Sequence, residues 1–141
     1  MDFPFERISR SESETELIAK DFSAFVTEGM IIVLIGDLGA GKTFFTKKLL
    51  HYFDINTANS PTFAIVNEYN GIKKFYHFDF YRINKAEELI DIGIEDYFSD
   101  NDAISLIEWG NLFPDLLPNE RFEIEIKFTS EDERIFEFRK L

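Results

Sequence analysis

Residues 30–35, Met-Ile-Ile-Val-Leu-Ile, run without a break into Gly36-Asp37-Leu38-Gly39-Ala40-Gly41-Lys42-Thr43. A short apolar run rich in β-branched residues suits a strand buried on both faces, and such a strand requires helices packed above and below its sheet. Lys42 to Phe53 follows with Phe45, Leu49 and Leu50 at helical spacing. Strand, glycine loop and helix in that order commit the chain to an α/β fold.

The loop has a specific chemistry. Gly36, Gly39 and Gly41 lack the Cβ that would keep the backbone from positive φ, so successive N–H groups can turn toward anionic oxygens at the positive end of the helix. Lys42 supplies charge for the β and γ phosphates of a nucleotide, and the Thr43 hydroxyl is placed to ligate Mg²⁺. Asp37, Leu38, Gly39, Ala40, Gly41, Lys42 and Thr43 are therefore the candidate nucleotide-binding residues. Lys42 is expected to be exposed on the loop rather than packed.

A chain of 141 residues suits one compact domain, here taken as residues 1–141. The formal charge of −12 opposes direct association with nucleic acid. Cysteine is absent, which excludes disulfides and thiolate metal sites. No secretory pattern opens the sequence and no apolar run is long enough to span a membrane, so a cytoplasmic protein is expected. The 17 Phe residues are spread through apparent strands and helices and read as core.

Elsewhere, Ser13 and Glu16 suggest a capping box for a first helix reaching about Gly29, with Leu17, Ile18, Phe22, Phe25 and Val26 on its inner stripe. Asn70-Gly71 predicts a type I′ hairpin between strands Phe63 to Tyr69 and Ile72 to Arg82. Alternation in the second strand puts Phe75, His77, Asp79 and Tyr81 on one face. Asn84 and Glu87 open a helix closed by Gly93, with a short helical turn over Ile94 to Phe98. Ala103 to Ile107 is a second buried strand. Arg121 to Phe128 alternates, with Phe122, Ile124, Ile126 and Phe128 on one face, and Arg134 to Phe138 returns as its hairpin partner.

A phosphate loop needs a second Mg²⁺ anchor, usually an acid ending a neighbouring buried strand. Glu108, after Ile104 to Ile107, meets that description. Asp79 competes, because a carboxylate between Phe78 and Phe80 should not be buried without a counter-charge or metal. Lys42, Asp79 and Glu108 are the candidate catalytic residues, and Thr43, Asp79 and Glu108 the candidate metal ligands. His77 is equally readable as a structural residue. Arg82 could face a γ-phosphate or a surface carboxylate. Asn84-Lys85-Ala86-Glu87 looks like a guanine-reading tetrapeptide but is better explained as a helix start.

Taken in order, the loop, Ser60-Pro61-Thr62-Phe63, His77-Phe78-Asp79-Phe80-Tyr81-Arg82 and Glu108-Trp109-Gly110 resemble the TsaE (YjeE) family over about residues 10 to 125. The resemblance implies a P-loop NTPase fold with a mixed central sheet, flanking helices and antiparallel hairpins. It implies a Mg-dependent ATPase, weak alone, whose hydrolysis accompanies resetting of the two-protein threonylcarbamoyl-transferase assembly (TsaB and TsaD type) that modifies adenosine 37 of tRNA. By the same likeness, Thr62 reports the γ-phosphate from a switch-like loop, Asp79 and Glu108 serve Mg²⁺ and the attacking water, and Trp109 lies beside the nucleotide or at a partner surface. A small-molecule kinase usually brings an Arg-rich lid, and Glu87 to Glu120 contains neither Arg nor Lys. A nucleotide-sensing module without turnover is the other alternative.

Overall fold

The computed structural model describes residues 2–56 and 65–141. Among these residues, seven strands form one mixed sheet in the order β1-β7-β6-β2-β5-β4-β3. The strands are β1 (Phe5–Ser9), β2 (Ile31–Ile35), β3 (Val66–Asn70), β4 (Lys74–Asp79), β5 (Ala103–Glu108), β6 (Phe122–Ser130) and β7 (Glu133–Lys140). The helices are α1 (Glu12–Ser23), α2 (Lys42–His51), α3 (Ala86–Asp91) and α4 (Ile94–Phe98). β2 is central and parallel to both β5 and β6. β4 extends the parallel part beside β5, while β3, β7 and β1 add antiparallel edges.

The double-sided burial expected of β2 is present: Ile31, Ile32, Val33 and Leu34 are all buried. One sheet face packs Ile32 and Leu34 with Phe22 of α1 and Phe45, Leu49 and Leu50 of α2. The other packs Ile31 and Val33 with Phe78, Leu89, Ile94 and Ile107. Phenylalanine fills the first of these layers, as with Phe22 against Phe138 at 5.3 Å and Phe45 against Phe136 at 5.5 Å between ring centres.

Several local readings are corrected. The cap of α1 is Ser11, whose Oγ accepts from the Glu14 N–H at 3.1 Å, while the Glu14 carboxylate accepts from the Arg10 N–H at 3.1 Å. This box lies two residues before the Ser13 and Glu16 pair, and α1 ends at Ser23 rather than near Gly29. Leu17 consequently points outward at 55% exposure, and Thr15, Ile18, Ala19 and Phe22 form the buried stripe. In α3 the reciprocal acid is Glu88 rather than Glu87, accepting from the Asn84 N–H at 2.8 Å. β1, absent from the sequence reading, pairs antiparallel with β7. Phe128 is 45% exposed, because β6 runs past the core at that end.

The β3–β4 turn differs from a two-residue type I′ connection: Asn70 pairs with Lys74, and neither Asn70 nor Gly71 has positive φ. Glycine is required at 71 for another reason. A Cβ there would lie 2.1 Å from the Phe53 carbonyl oxygen, which accepts from the Ile72 N–H at 2.8 Å. The turn is thus pressed against the chain leaving α2. The predicted start of β3 at Phe63, and the Ser60 to Thr62 segment, lie outside the described residues.

Candidate functional site

The parallel register brings the ends of three strands to one edge of the sheet. Leu34 of β2 and Asp79 of β4 both stand opposite Glu108, the last residue of β5. The glycine loop leaves β2 at this edge. A Cβ on Gly36 would lie 2.8 Å from the Ile126 carbonyl oxygen of β6, so the loop starts where only glycine clears the neighbouring strand. Gly39 and Gly41 have φ of +79° and +106°, and the Ala40 N–H donates to the Asp37 carbonyl at 3.0 Å. These conformations carry the backbone round to Gly41, which caps the start of α2.

Lys42 opens α2 and is only 5% exposed, which corrects the expectation that it stands free on the loop. Its ammonium folds back along the loop, donating to the Gly36 carbonyl at 2.5 Å and the Asp37 carbonyl at 3.0 Å, and lies 4.1 Å from the centre of a Trp109 ring. Carbonyl acceptors and an aromatic face together make burial of the charge tolerable. Burial lowers the Lys42 pKa, against the opposing influence of Glu108, Asp37 and Asp79.

Thr43, next on α2, donates from Oγ1 to Glu108 Oε1 at 3.3 Å. Glu108 is 3% exposed, so it does not simply leave the sheet for solvent. Its Oε2 lies 2.7 Å from His77 Nε2, and His77 Nδ1 lies 3.4 Å from the Tyr69 hydroxyl of β3. The β4 alternation does place His77 and Asp79 on the face expected, and the β4–β5 register sets Asp79 opposite Glu108 and His77 opposite Leu106, two residues before it. Asp79 is partly buried and its Oδ1 accepts from the Tyr81 N–H at 2.9 Å. Burial raises the Asp79 pKa, the Tyr81 N–H works against that rise, and the Glu108 charge adds to it. Trp109 has a left-handed φ of 63° and sits 4.9 Å from the Tyr81 ring, roofing Lys42 from the far side.

Asp37, Leu38, Gly39, Ala40, Gly41, Lys42, Thr43, Asp79, Glu108 and Trp109 thus converge at one end of the sheet, with Leu38 66% exposed on the loop. Thr62 is outside the described residues. Three contributions were not read from the sequence. The His77–Glu108 pair needs a cross-strand register, Tyr81 needs the backbone turn at Trp109, and Arg134 reaches the Ala40 carbonyl from β7 with Nε at 2.8 Å. Only the cluster of His77 and Asp79 on one face hinted at the first.

The donors fit a magnesium ion in kind: one hydroxyl and carboxylate oxygens, the hard ligands that ion prefers when phosphates and water complete its shell. Among the described residues there is no group of three or more His, Cys, Asp or Glu that would hold a metal unaided. No helix among them is long and apolar enough to cross a membrane.

A buried parallel strand, a glycine loop turning into a helix, and carboxylates ending the neighbouring parallel strands together define the P-loop NTPase fold. The profile of one family, described as "Threonylcarbamoyl adenosine biosynthesis protein TsaE", matches residues 9–136. The chain belongs to the TsaE family. It is 44% identical over 127 residues to the tRNA threonylcarbamoyladenosine biosynthesis protein TsaE of Bacillus subtilis, covering 89% of this chain and 78% of that one. With the protein of the same name from Rickettsia bellii the identity is 37% over 133 residues, covering 92% and 91% of the two chains. The crystal structure of Bacillus subtilis YdiB superposes with a TM-score of 0.80 at 37% identity, covering 98% of this chain and 86% of that one.

Proposed function

We propose that the chain binds ATP with Mg²⁺ and hydrolyses it in support of threonylcarbamoyladenosine formation on tRNA. Turnover is slow in the isolated protein and coupled to resetting of the two-protein threonylcarbamoyl-transferase assembly. The observation that carries this reading is the 3.3 Å approach of the Thr43 hydroxyl to Glu108 at the mouth of the glycine loop. It supports the reading because this oxygen pair would stand beside the γ-phosphate of a nucleotide whose β-phosphate the loop N–H groups hold. The family names of the relatives supply the tRNA context.

In this reading the backbone of Asp37 to Thr43 cradles the phosphates, and the Lys42 ammonium exchanges its carbonyl partners for β and γ oxygens. Bound Mg²⁺ would neutralise phosphate charge, held by Thr43 and Glu108. His77 keeps Glu108 in the rotamer that faces Thr43. The Asp79 carboxylate, whose pKa is raised by burial and which is the stronger base for it, orients the water and receives its proton as the water oxygen bonds to the γ-phosphorus and the bond from that phosphorus to the bridging oxygen of ADP breaks. Trp109 screens Lys42 from solvent on the side away from the loop. Thr62 is assigned by family likeness to sensing the γ-phosphate. The charge of −12 disfavours direct tRNA binding and favours a partner with a basic surface.

Lys42→Ala tests the foundation. ATP affinity should fall at least about a hundredfold, since a desolvated charge and its charge-assisted hydrogen bonds to phosphate are lost together. Titration calorimetry giving wild-type affinity in a folded variant would remove the nucleotide-binding reading. Phosphorylated product without free phosphate would favour a kinase instead.

A further inference from the structure

The C-terminal hairpin is remote in sequence from the glycine loop, yet one of its side chains hydrogen-bonds the loop backbone. Arg134 Nε donates to the Ala40 carbonyl at 2.8 Å, from a β7 position paired with Phe128 of β6 and Ser9 of β1. The guanidinium carbon lies 4.7 Å from the centre of the Phe128 ring, which limits the directions the fork can take. Its neighbour Glu133 is fixed as well, accepting from Arg10 Nε at 3.0 Å and from Thr129 Oγ1 at 2.8 Å. Gly41 is part of the same contact: a Cβ there would lie 3.4 Å from Arg134 Nε. That is ordinary van der Waals distance, so glycine at 41 answers to its φ of +106° while the arginine packs directly against it.

The consequence follows from the peptide plane. In a trans peptide the C=O of residue 40 and the N–H of residue 41 point in opposite directions, and the unit is rigid. Holding the Ala40 oxygen toward β7 turns the Gly41 N–H the opposite way, away from the hairpin. We infer that Arg134 is a positioning residue of the phosphate loop: it anchors the Ala40 carbonyl to the C-terminal hairpin and so aims the Gly41 N–H at the bound phosphates. This rests on the nucleotide-binding reading above and adds to it a residue outside the loop, the acids and the switch segment. It also gives the β6–β7 hairpin a part in the site, through a geometric coupling in place of contact with the nucleotide.

The test compares wild type with Arg134→Met, which keeps an apolar stem over Phe128 and removes the donor, and Arg134→Lys, whose ammonium can still reach the carbonyl. In calorimetric titrations with Mg-ATP and Mg-ADP the Met variant should bind about tenfold more weakly, the loss of one charge-assisted hydrogen bond and the order it imposes. The Lys variant should stay within about threefold of wild type, the weaker geometric match of a single ammonium donor. In ¹⁵N–¹H spectra of the nucleotide-free protein, the Gly41 amide peak should move in the Met variant and hold its place in the Lys variant. Wild-type affinity with an unmoved Gly41 peak in the Met variant would overturn the inference. A lowered Tm with unchanged affinity would overturn it too, since Arg134 would then only support the hairpin. Should the Met variant not fold, Phe128→Leu must weaken ATP binding by about threefold or more, and no change there is the contrary result. Wild-type protein that binds no nucleotide would remove the underlying reading, whereas binding unaffected in the Met variant removes the role of Arg134 alone.

Discussion

Glu108 divides its carboxylate between two neighbours: Oε1 meets the Thr43 hydroxyl and Oε2 meets His77. A glutamine at 108 can keep both contacts while losing the charge. Glu108→Gln should therefore leave the fold and ATP affinity nearly intact and lower the rate of phosphate release by about a hundredfold or more, the usual scale for one catalytic group. Single-turnover phosphate release at saturating ATP checks this. If the rate survives, Glu108 is not a required Mg²⁺ anchor, and Asp79→Asn, which removes the proton acceptor, is the variant that should abolish turnover. The loop and these two acids were legible in the sequence because their chemistry is local: glycines, a Lys-Thr pair and strand-ending carboxylates follow one another in a fixed order. The burial of Lys42 was not legible, because its acceptors are backbone carbonyls and a Trp109 face brought in by a left-handed turn.

Among the elements, the β3–β4 hairpin is held near its turn by contacts outside itself. At the turn, Gly71→Ala would place a methyl 2.1 Å from the Phe53 carbonyl, a backbone clash that cannot relax by a rotamer change. The cost should be about 1–3 kcal/mol, by analogy with other overpacked sites, and denaturant unfolding measures it. At the start of β4, Lys74 bonds Asp100 at 2.8 Å and the Tyr76 hydroxyl donates to the same carboxylate at 2.7 Å. These hydrogen bonds hold the Asp100 pKa down to about 2. A depressed carboxylate contributes stability that is present above its unfolded pKa and is lost as pH falls through the folded one. The difference in stability between wild type and Asp100→Asn should thus be constant above the ordinary carboxylate range and shrink as pH falls toward 2. A difference that grows on acidification would contradict the pairing.

Elements with a periodic apolar signal were readable from sequence, as in β2, α2 and β5. The errors came where a tertiary contact decides. β1 carries a weak pattern and exists because β7 offers it an edge. The cap of α1 was read at Ser13 with Glu16, but the chain enters the helix two residues earlier, where Ser11 accepts from the Glu14 N–H and the Glu14 carboxylate accepts from the Arg10 N–H. Asn70-Gly71 has the composition of a type I′ turn, but packing against the end of α2 sets a different backbone.

For the molecule as a whole, one parallel arrangement of β6, β2, β5 and β4 gathers the loop and both acids at one edge, and the antiparallel additions brace it. The hairpin of β6 and β7 anchors the loop through Arg134, while β3 backs His77 through Tyr69. An acidic surface of this strength predicts that association with a basic partner weakens as salt rises, through screening of exposed charge. Binding to the transferase proteins should therefore tighten as ionic strength is lowered from about 0.5 M to 0.1 M, and salt-independent binding would point to an apolar interface. The most direct test of partner-coupled hydrolysis is phosphate release from Mg-ATP by the purified protein, alone and with the threonylcarbamoyl-transferase proteins, with Lys42→Ala as the blank. Slow release alone and faster release with the partners is the expected result. Confirmed ATP binding with no release in either condition would contradict it.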